Sequence, residues 1–268
     1  MSKQPGRPIA ARRLILLTND DGIDSEGLLA LKAALERVAE VRVVAPDRDW
    51  SVIGHAKTMR RPLRVVPLTL PDGDTAHAVD GTPSDCVSLG ILGLLPRRTD
   101  LVIAGINKGA NLGEDITYSG TVAAAMEAVI SGIPAIAASL AGYLEWDFAT
   151  AADFTAHVAG RVLANGLGAD VLLNINVPNV PRRDIAGVEI TRAGHRVYKD
   201  VLEELEDSQG RSYYLIGGDF PGGIAEEGTD YNAILHNCIS VTPIHLDLTN
   251  HRLIKTLRGW NLADSWHS

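Results

Sequence analysis

The sequence predicts an α/β protein built on a mainly parallel sheet with helices on both faces, and three observations predict it. An apolar run at LILLT is followed by a helical stripe and then by a second apolar run, VRVVAP, which is the β-α-β order of a parallel pair. Apolar runs and helical stretches then alternate as far as Pro178. Beyond Pro178 the texture changes to short strand-like pieces between Gly and charged residues, which predicts a β-rich arm rather than further crossover units.

Taken in order, LILLT from Leu14 reads as a fully buried strand, and Ser25 has the position of a helix N-cap. Leu28, Leu29, Leu31, Leu35 and Val38 form the apolar stripe of the helix that follows. Residues 47–61 carry Gly and charges without a steady period, which predicts a long loop. Residues 63–68 and 77–79 flank PDGD, a turn signal, and are expected to pair antiparallel. A helix over 84–94 and a strand over 100–105 form the next unit, and INKGANLGEDITYS leads into a small-residue helix over 120–130. A strand at 133–138, a helix at 149–163 and a strand at 171–176 complete the series. In the arm, residues 188–190, 197–201 and 212–216 are strand-like. TDYNAILHNCISVTPIHLDLT returns to a short helix and an apolar strand, and NHRLIKTLRGWNLADSW reads as a terminal helix with Trp260 packed on it. We therefore expect residues 1–13 to be a flexible tail and 14–268 a single domain, with 179–268 holding the β-rich extension and a C-terminal element.

With 268 residues the chain can bury a sizeable core, and 46% hydrophobic and 22% charged residues are ordinary for a soluble globular protein. A net charge of -8 disfavours non-specific attraction to nucleic acid or anionic membrane. MSKQPGRPIAARR lacks the apolar core of a secretory signal, and no apolar run approaches transmembrane length. Cys86 and Cys238 lie in apolar-leaning segments and read as two buried reduced thiols, which suits a cytoplasmic location.

In an open parallel sheet, ligands collect outside the carboxyl ends of the strands. Four polar clusters fall at that edge: Asn19-Asp20-Asp21, Asp49-Trp50-Ser51, Gly105-Ile106-Asn107 and Tyr118-Ser119-Gly120-Thr121. Adjacent carboxylates repel unless something positive lies between them, and carboxylate, hydroxyl and amide oxygens suit magnesium, manganese or calcium. Alone, the Asp20-Asp21 pair is equally ordinary turn chemistry, Ser51 a loop hydroxyl and Asn107 a turn former. Their joint placement behind separate strands is what favours a metal site. The helix start at Ser119, Gly120 and Thr121 offers hydroxyls and unpaired N–H groups suited to an anion, though alone it reads as a capped helix packed on the sheet. Neither glycine-rich nucleotide fingerprint is present. His55 has no partner evident in the sequence that would make it a triad base, and His77 and His236 read as structural.

The segments ILLTNDDGIDSEGLLAL, VVAPDRDWS, DGTPSDCV, VIAGINKGANLGEDITYSGTVAAAMEA, LLNINVP and GTDYNAILHNCISVTPI resemble, in that order over residues 14–243, the SurE family of survival-protein nucleotidases. The resemblance implies a three-layer α/β/α, Rossmann-like core with the β-rich arm and terminal helix. It implies a divalent-metal-dependent phosphomonoesterase acting on nucleoside 5′- and 3′-monophosphates, and in some members on short polyphosphate. The metal ligands of that family fall on Asp20, Asp21, Ser51 and Asn107, with Asp20, Asp21 and Asn107 catalytic. Asn107, Ser119, Gly120 and Thr121 are the implied phosphate-binding set. One divalent cation per subunit is implied, Mg²⁺ or Mn²⁺, with Ca²⁺ able to replace it in a crystal. Implied partners are nucleoside monophosphates, not nucleic-acid polymers or membranes, and further copies of the chain in a homodimer or homotetramer with exchanged C-terminal elements.

One departure stands out. The family usually places glycine after the metal-position serine, whereas this chain reads Ser51-Val52-Ile53-Gly54-His55. A β-branched residue resists backbone conformations that glycine accepts. Trp50 either stacks on a nucleobase or shields the loop. No covalent nucleophile or dedicated general acid is identified, although Asp115 and Lys108 are near enough in sequence to assist. The alternatives are a non-catalytic nucleotide-binding or assembly protein on the same core, and a phosphatase with an aspartyl-phosphate intermediate. The Asp-x-Asp spacing of the latter is absent, because Gly22 stands two residues after Asp20.

Overall fold

β1 (Leu14–Thr18) is buried along its whole length, and its side chains divide by parity. Ile15 and Leu17 enter one core while Leu14 and Leu16 enter another, as a period of two demands of a strand covered on both faces. The computed structural model describes residues 12–142, 144–168, 170–218 and 220–262, so all of the predicted tail except Arg12 and Arg13 lies outside the described residues.

α1 (Glu26–Leu35) starts where Ser25 Oγ accepts the Leu28 N–H, and it returns the chain to β2 (Glu40–Pro46), parallel to β1. β3 (Val65–Thr69) and β4 (Thr75–Val79) pair antiparallel across the PDGD turn, and β4 joins β2 in parallel. α2 (Pro83–Leu89) opens on a capping box of Thr82 and Asp85 and runs on into a π-helical turn, Gly90–Leu94. β5 (Leu101–Lys108), α3 (Gly120–Ile130), β6 (Ala135–Ala141), α4 (Ala149–Asn165) and β7 (Val171–Pro178) extend the parallel series on the other side of β1. α1 and α4 cover one face of the sheet and α2 and α3 the other, giving the three-layer α/β/α arrangement.

After β7 the regular alternation of strand and helix stops. β8 (Gly187–Ile190), β9 (Arg196–Val197), β10 (Asp200–Glu206), β11 (Ser212–Gly218) and β12 (Gly222–Gly223) make the arm. α5 (Asp230–Leu235), β13 (Cys238–His245) and α6 (His251–Arg258) follow. Among the described residues the main sheet has the order β3-β4-β2-β1-β5-β6-β7-β13-β8, while β10 pairs with β11 and β9 with β12. The chain builds outward from β1 first through β2 and then, in the other direction, through β5. The carboxyl ends of β1 and β5 therefore flank the topological switch point, where such sheets bind ligands.

Three details differ from the sequence reading. The predicted piece at 197–201 is divided between β9 and β10. Trp260 is 63% exposed and α6 buries no residue, because the apolar side of that helix has nothing of this chain to pack against among the described residues. Cys86 is buried and Cys238 half-buried, both as free thiols.

Candidate active site

β1 ends on a turn that Asn19 closes, its Nδ2 donating to Gly22 O at 2.8 Å and to Ser25 Oγ at 2.7 Å. Asp20 is thereby buried, and Asp21 is left half-buried. Thr121 Oγ1 donates to Asp20 Oδ1, and the Lys108 N–H donates to Asp21 Oδ2 at 3.2 Å. Gly120 lies directly against Asp20: a Cβ there would stand 2.9 Å from Asp20 Oδ2, so a side chain would push α3 off the carboxylate.

Asn107 reaches the same edge through a bulge. Ala104 pairs with Ala137 but Asn107 with Ser139, one extra residue on β5. Its Nδ2 donates to Gly109 O at 2.9 Å. Ser51 gives both its N–H and its hydroxyl proton to Asp49 Oδ1, each at 2.6 Å. A hydroxyl so engaged offers only lone pairs to anything else.

Asp20, Ser51, Asn107 and Ser119 line one cleft of about 330 Å³. Asp21 borders an adjoining hollow with Asp24, Asp47 and Asp49. Gly120 and Thr121 stand behind Asp20, and the Thr121 hydroxyl serves that carboxylate rather than the cleft. Trp50 is outside the cleft lining, with the Arg48 guanidinium 4.5 Å over its ring, so it shields the loop. Val52 lines the cleft at φ +58° and is 78% exposed; the left-handed region is costly for a β-branched residue.

Burial pushes the Asp20 carboxyl up to about 7; the Thr121 hydroxyl opposes this and the neighbouring Asp21 charge adds to it. Burial also raises Asp21, and the Asp49 charge contributes. Their hydrogen-bond donors among the described residues are a hydroxyl and backbone amides, not cationic side chains. Lys108 offsets part of the charge on Asp21, but no cation among the described residues faces Asp20. Two adjacent, poorly solvated carboxylates so incompletely compensated, beside the hard oxygens of Ser51 and Asn107, fit a divalent cation. A second carboxylate group, Glu36, Asp72 and Asp74, brings ligand oxygens within 4.8 Å of one another and is able to hold such an ion. There, however, Lys32 Nζ already lies 2.6 Å from Asp72 and 2.7 Å from Asp74 and bonds Glu36. That group clamps α1 to the β3–β4 turn.

The sequence reading missed the opposite wall, where Arg196, Tyr198 and Pro221 arrive from the arm. Asp115 accepts the Tyr198 hydroxyl at 2.5 Å, and its other oxygen lies 2.8 Å from Arg196 Nε, an ion pair without the alignment of a hydrogen bond. Asp115 is thus committed to the arm. Glu114 likewise accepts the Arg196 N–H at 2.6 Å and faces His195 Nδ1 at 2.9 Å, and these contacts hold its carboxyl at about 2. Asn111 also lines the cleft and is held from below by Ser139, Asn174 and Asn176. Two asparagines inside the apolar strand LLNINVP were a readable signal of that support. His55 has a partner after all: Nε2 lies 3.2 Å from Glu127 Oε2, and Lys57 and Ser88 donate to Oε1 of the same carboxylate. None of these four residues lines the cleft.

The chain matches the family model described as Survival protein SurE over residues 15–200. It is 48% identical over 253 residues to 5′-nucleotidase SurE of Herpetosiphon aurantiacus, covering 93% of this chain and 99% of that one. It is 50% identical over 247 residues to 5′-nucleotidase SurE of Pelobacter propionicus, covering 92% and 98%. Its fold superposes on the crystal structure of the SurE protein from Aquifex aeolicus with a TM-score of 0.81 at 44% identity, over 92% of this chain and 99% of that one.

Proposed function

The chain belongs to the SurE family, and from that membership we propose that it hydrolyses nucleoside 5′-monophosphates, and also 3′-monophosphates, to nucleoside and phosphate. The observation that carries this reading is the meeting of Asp20, Ser51, Asn107 and Ser119 in one cleft at the switch point, with the buried Asp20 carboxylate facing no cation among the described residues.

Asp20, Asp21, Ser51 and Asn107 would hold a divalent cation, Mg²⁺ or Mn²⁺. When bound, such an ion neutralises charge on the phosphoryl group and makes a nearby water more acidic. The chain's own residues supply the rest. Thr121 fixes the orientation of the Asp20 carboxylate, and Asp49 turns the lone pairs of Ser51 outward. Ser119 Oγ accepts the Val122 N–H at 3.1 Å, so its own proton remains available to a phosphate oxygen. Gly120 permits close approach to the start of α3, where first-turn N–H groups and the helix dipole favour an anion. Hydrogen bonds placed there strengthen as the transferring oxygens gain charge.

The same reading makes the protein a homodimer or homotetramer with exchanged C-terminal elements. It is supported by the exposed apolar residues of β10 and β11 and by an α6 that buries nothing of its own. A single domain over 14–268 and a cytoplasmic location belong to it as well; the two free thiols support the latter. No described helix is long and apolar enough to cross a membrane.

The test is phosphate release from a panel of 5′- and 3′-nucleoside monophosphates and an aryl phosphate, using EDTA-stripped protein with Mg²⁺, Mn²⁺ or Ca²⁺ restored. Release is expected to require the divalent ion and to favour nucleotides. Silence across the panel from folded protein would transfer the reading to a nucleotide-binding or assembly protein.

A further inference from the structure

The polar residues of the cleft account for a phosphate, and its apolar ones ask for a different kind of group. Val52, Tyr118, Tyr198 and Pro221 line the same cleft, with Tyr118 56% and Tyr198 41% exposed. Single exposed aromatics are commonplace, but these two share one cavity and one anchor. The Tyr118 N–H donates to Asp115 O at 3.0 Å, and the Tyr198 hydroxyl donates to Asp115 Oδ1 at 2.5 Å. The Arg196 side chain, only 5% exposed, neutralises that same carboxylate and lies over the Tyr231 ring at 5.6 Å. The Asp115 and Arg196 charges are therefore paired with each other, and Lys108, the other cation of the lining, acts on Asp21. Asn111, which also lines the cleft, gives its side-chain N–H to Ser139 Oγ, and its backbone carbonyl accepts from Asn174 and Asn176. What remains for a ligand is aromatic and aliphatic surface, held in place before the ligand arrives.

We propose that Tyr198, locked by Asp115, and Tyr118 form the nucleobase subsite of this cleft and hold the base by stacking rather than by hydrogen-bond readout. The proposal rests on the nucleotidase reading above and deepens it. Every base has a π-face, so a stacking subsite tolerates purines and pyrimidines alike. Asp115 is then a positioning residue: it touches no substrate and acts by fixing Tyr198.

The experiment compares nucleoside 5′-monophosphates of all four bases with ribose 5-phosphate, which keeps the sugar and phosphate and lacks the base, on wild type, Tyr198→Ala, Tyr198→Phe, Tyr118→Ala and Asp115→Asn. Tyr198→Ala should raise KM for every nucleotide by roughly ten- to a hundredfold, with kcat within about twofold and KM for ribose 5-phosphate unchanged. Tyr118→Ala should act in the same direction. Tyr198→Phe keeps the ring but gives up the hydrogen bond to Asp115, so it and Asp115→Asn should each lose only part of the preference for nucleotide over ribose 5-phosphate. Equal losses on both substrates, or no loss on either, would overturn the proposal. If Tyr198→Ala does not fold, the exposed Tyr118→Ala decides by the same ratio. A wild-type protein that hydrolyses no nucleotide at all would fail the earlier reading instead, and would be recognised as such before any variant is made.

Discussion

Asp20 is a buried carboxylate whose side chain receives a hydroxyl and, among the described residues, no cationic partner. Replacing it by Asn keeps the shape and removes a charge that is costly to bury alone. For Asp20→Asn we expect turnover to fall by roughly a hundredfold, about 2.7 kcal/mol of transition-state stabilisation. The metal-free variant should melt no lower than wild type at neutral pH, and added Mg²⁺ should raise the Tm of wild type alone. Near-wild-type kcat at saturating metal would remove Asp20 from the ligand set. Asp20 and Asn107 were legible in the sequence because each stands close behind an apolar run, and Ser119 because it stands one residue ahead of a clear helical pattern. The contact Thr121 makes was not, since the partner a hydroxyl takes depends on how α3 seats against the end of β1. Arg196, Tyr198 and Pro221 were not legible either: they reach the cleft through irregular chain far from Asp20, with no periodic pattern to mark them. Val52 was legible as a departure, and the structure adds the reason it matters, a left-handed backbone at the cleft's lip.

At the scale of elements, α3 carries the site at its first turn and anchors the loop bearing Ser51 farther along. Glu127 of α3 gathers Lys57, His55 and Ser88, which ties residues 55–57 and α2 to one carboxylate. Burial alone would raise the Glu127 carboxyl, but Lys57, Ser88 and His55 together hold it below its ordinary 4.5. A folded value below the unfolded one means that the stabilisation is complete above about pH 4.5 and is lost as pH falls through the folded value. Glu127→Gln should therefore cost about 1–2 kcal/mol at pH 7 by urea denaturation, with a gap that narrows by pH 3.5. A gap that stays constant with pH would show that shape and not charge holds the loop. The crossover elements were readable because strand and helix periods differ and the caps are local, as with Ser25 and Thr82. The extra length of β5 was not, because its last residues, Ile106 to Lys108, carry the bulge and sit in a Gly-Asn context that resembles a turn. In the arm the pieces are too short for any period to build up, which is why one predicted strand proved to be two.

For the whole molecule, the open question is what covers the C-terminal surface. β10 and β11 pair only with each other among the described residues, and every residue in them is exposed. An isolated two-stranded ribbon is marginal in water, and this one exposes Val201, Leu202, Leu205, Tyr214 and Ile216. α6 adds the exposed Leu253, and Trp260 just beyond it is exposed as well. A second copy of the chain is the occupant consistent with exchanged C-terminal elements, and it has a functional consequence. The hairpin begins two residues after Tyr198 and ends shortly before Pro221, so its base is part of the cleft wall. Seating the hairpin on a partner would steady that wall. Light scattering should give a mass of two or four chains for the intact protein, and replacing residues 200–218 by a short Gly-Ser turn should lower the assembly state. The same deletion should raise KM for nucleotides more than it lowers kcat, because Asp20, Asn107 and Ser119 lie on elements of the main sheet and its helices that the deletion does not touch. An intact protein that is monomeric at micromolar concentration, or a deletion that leaves assembly unchanged, would separate the hairpin from oligomerisation and leave its apolar faces to a different partner.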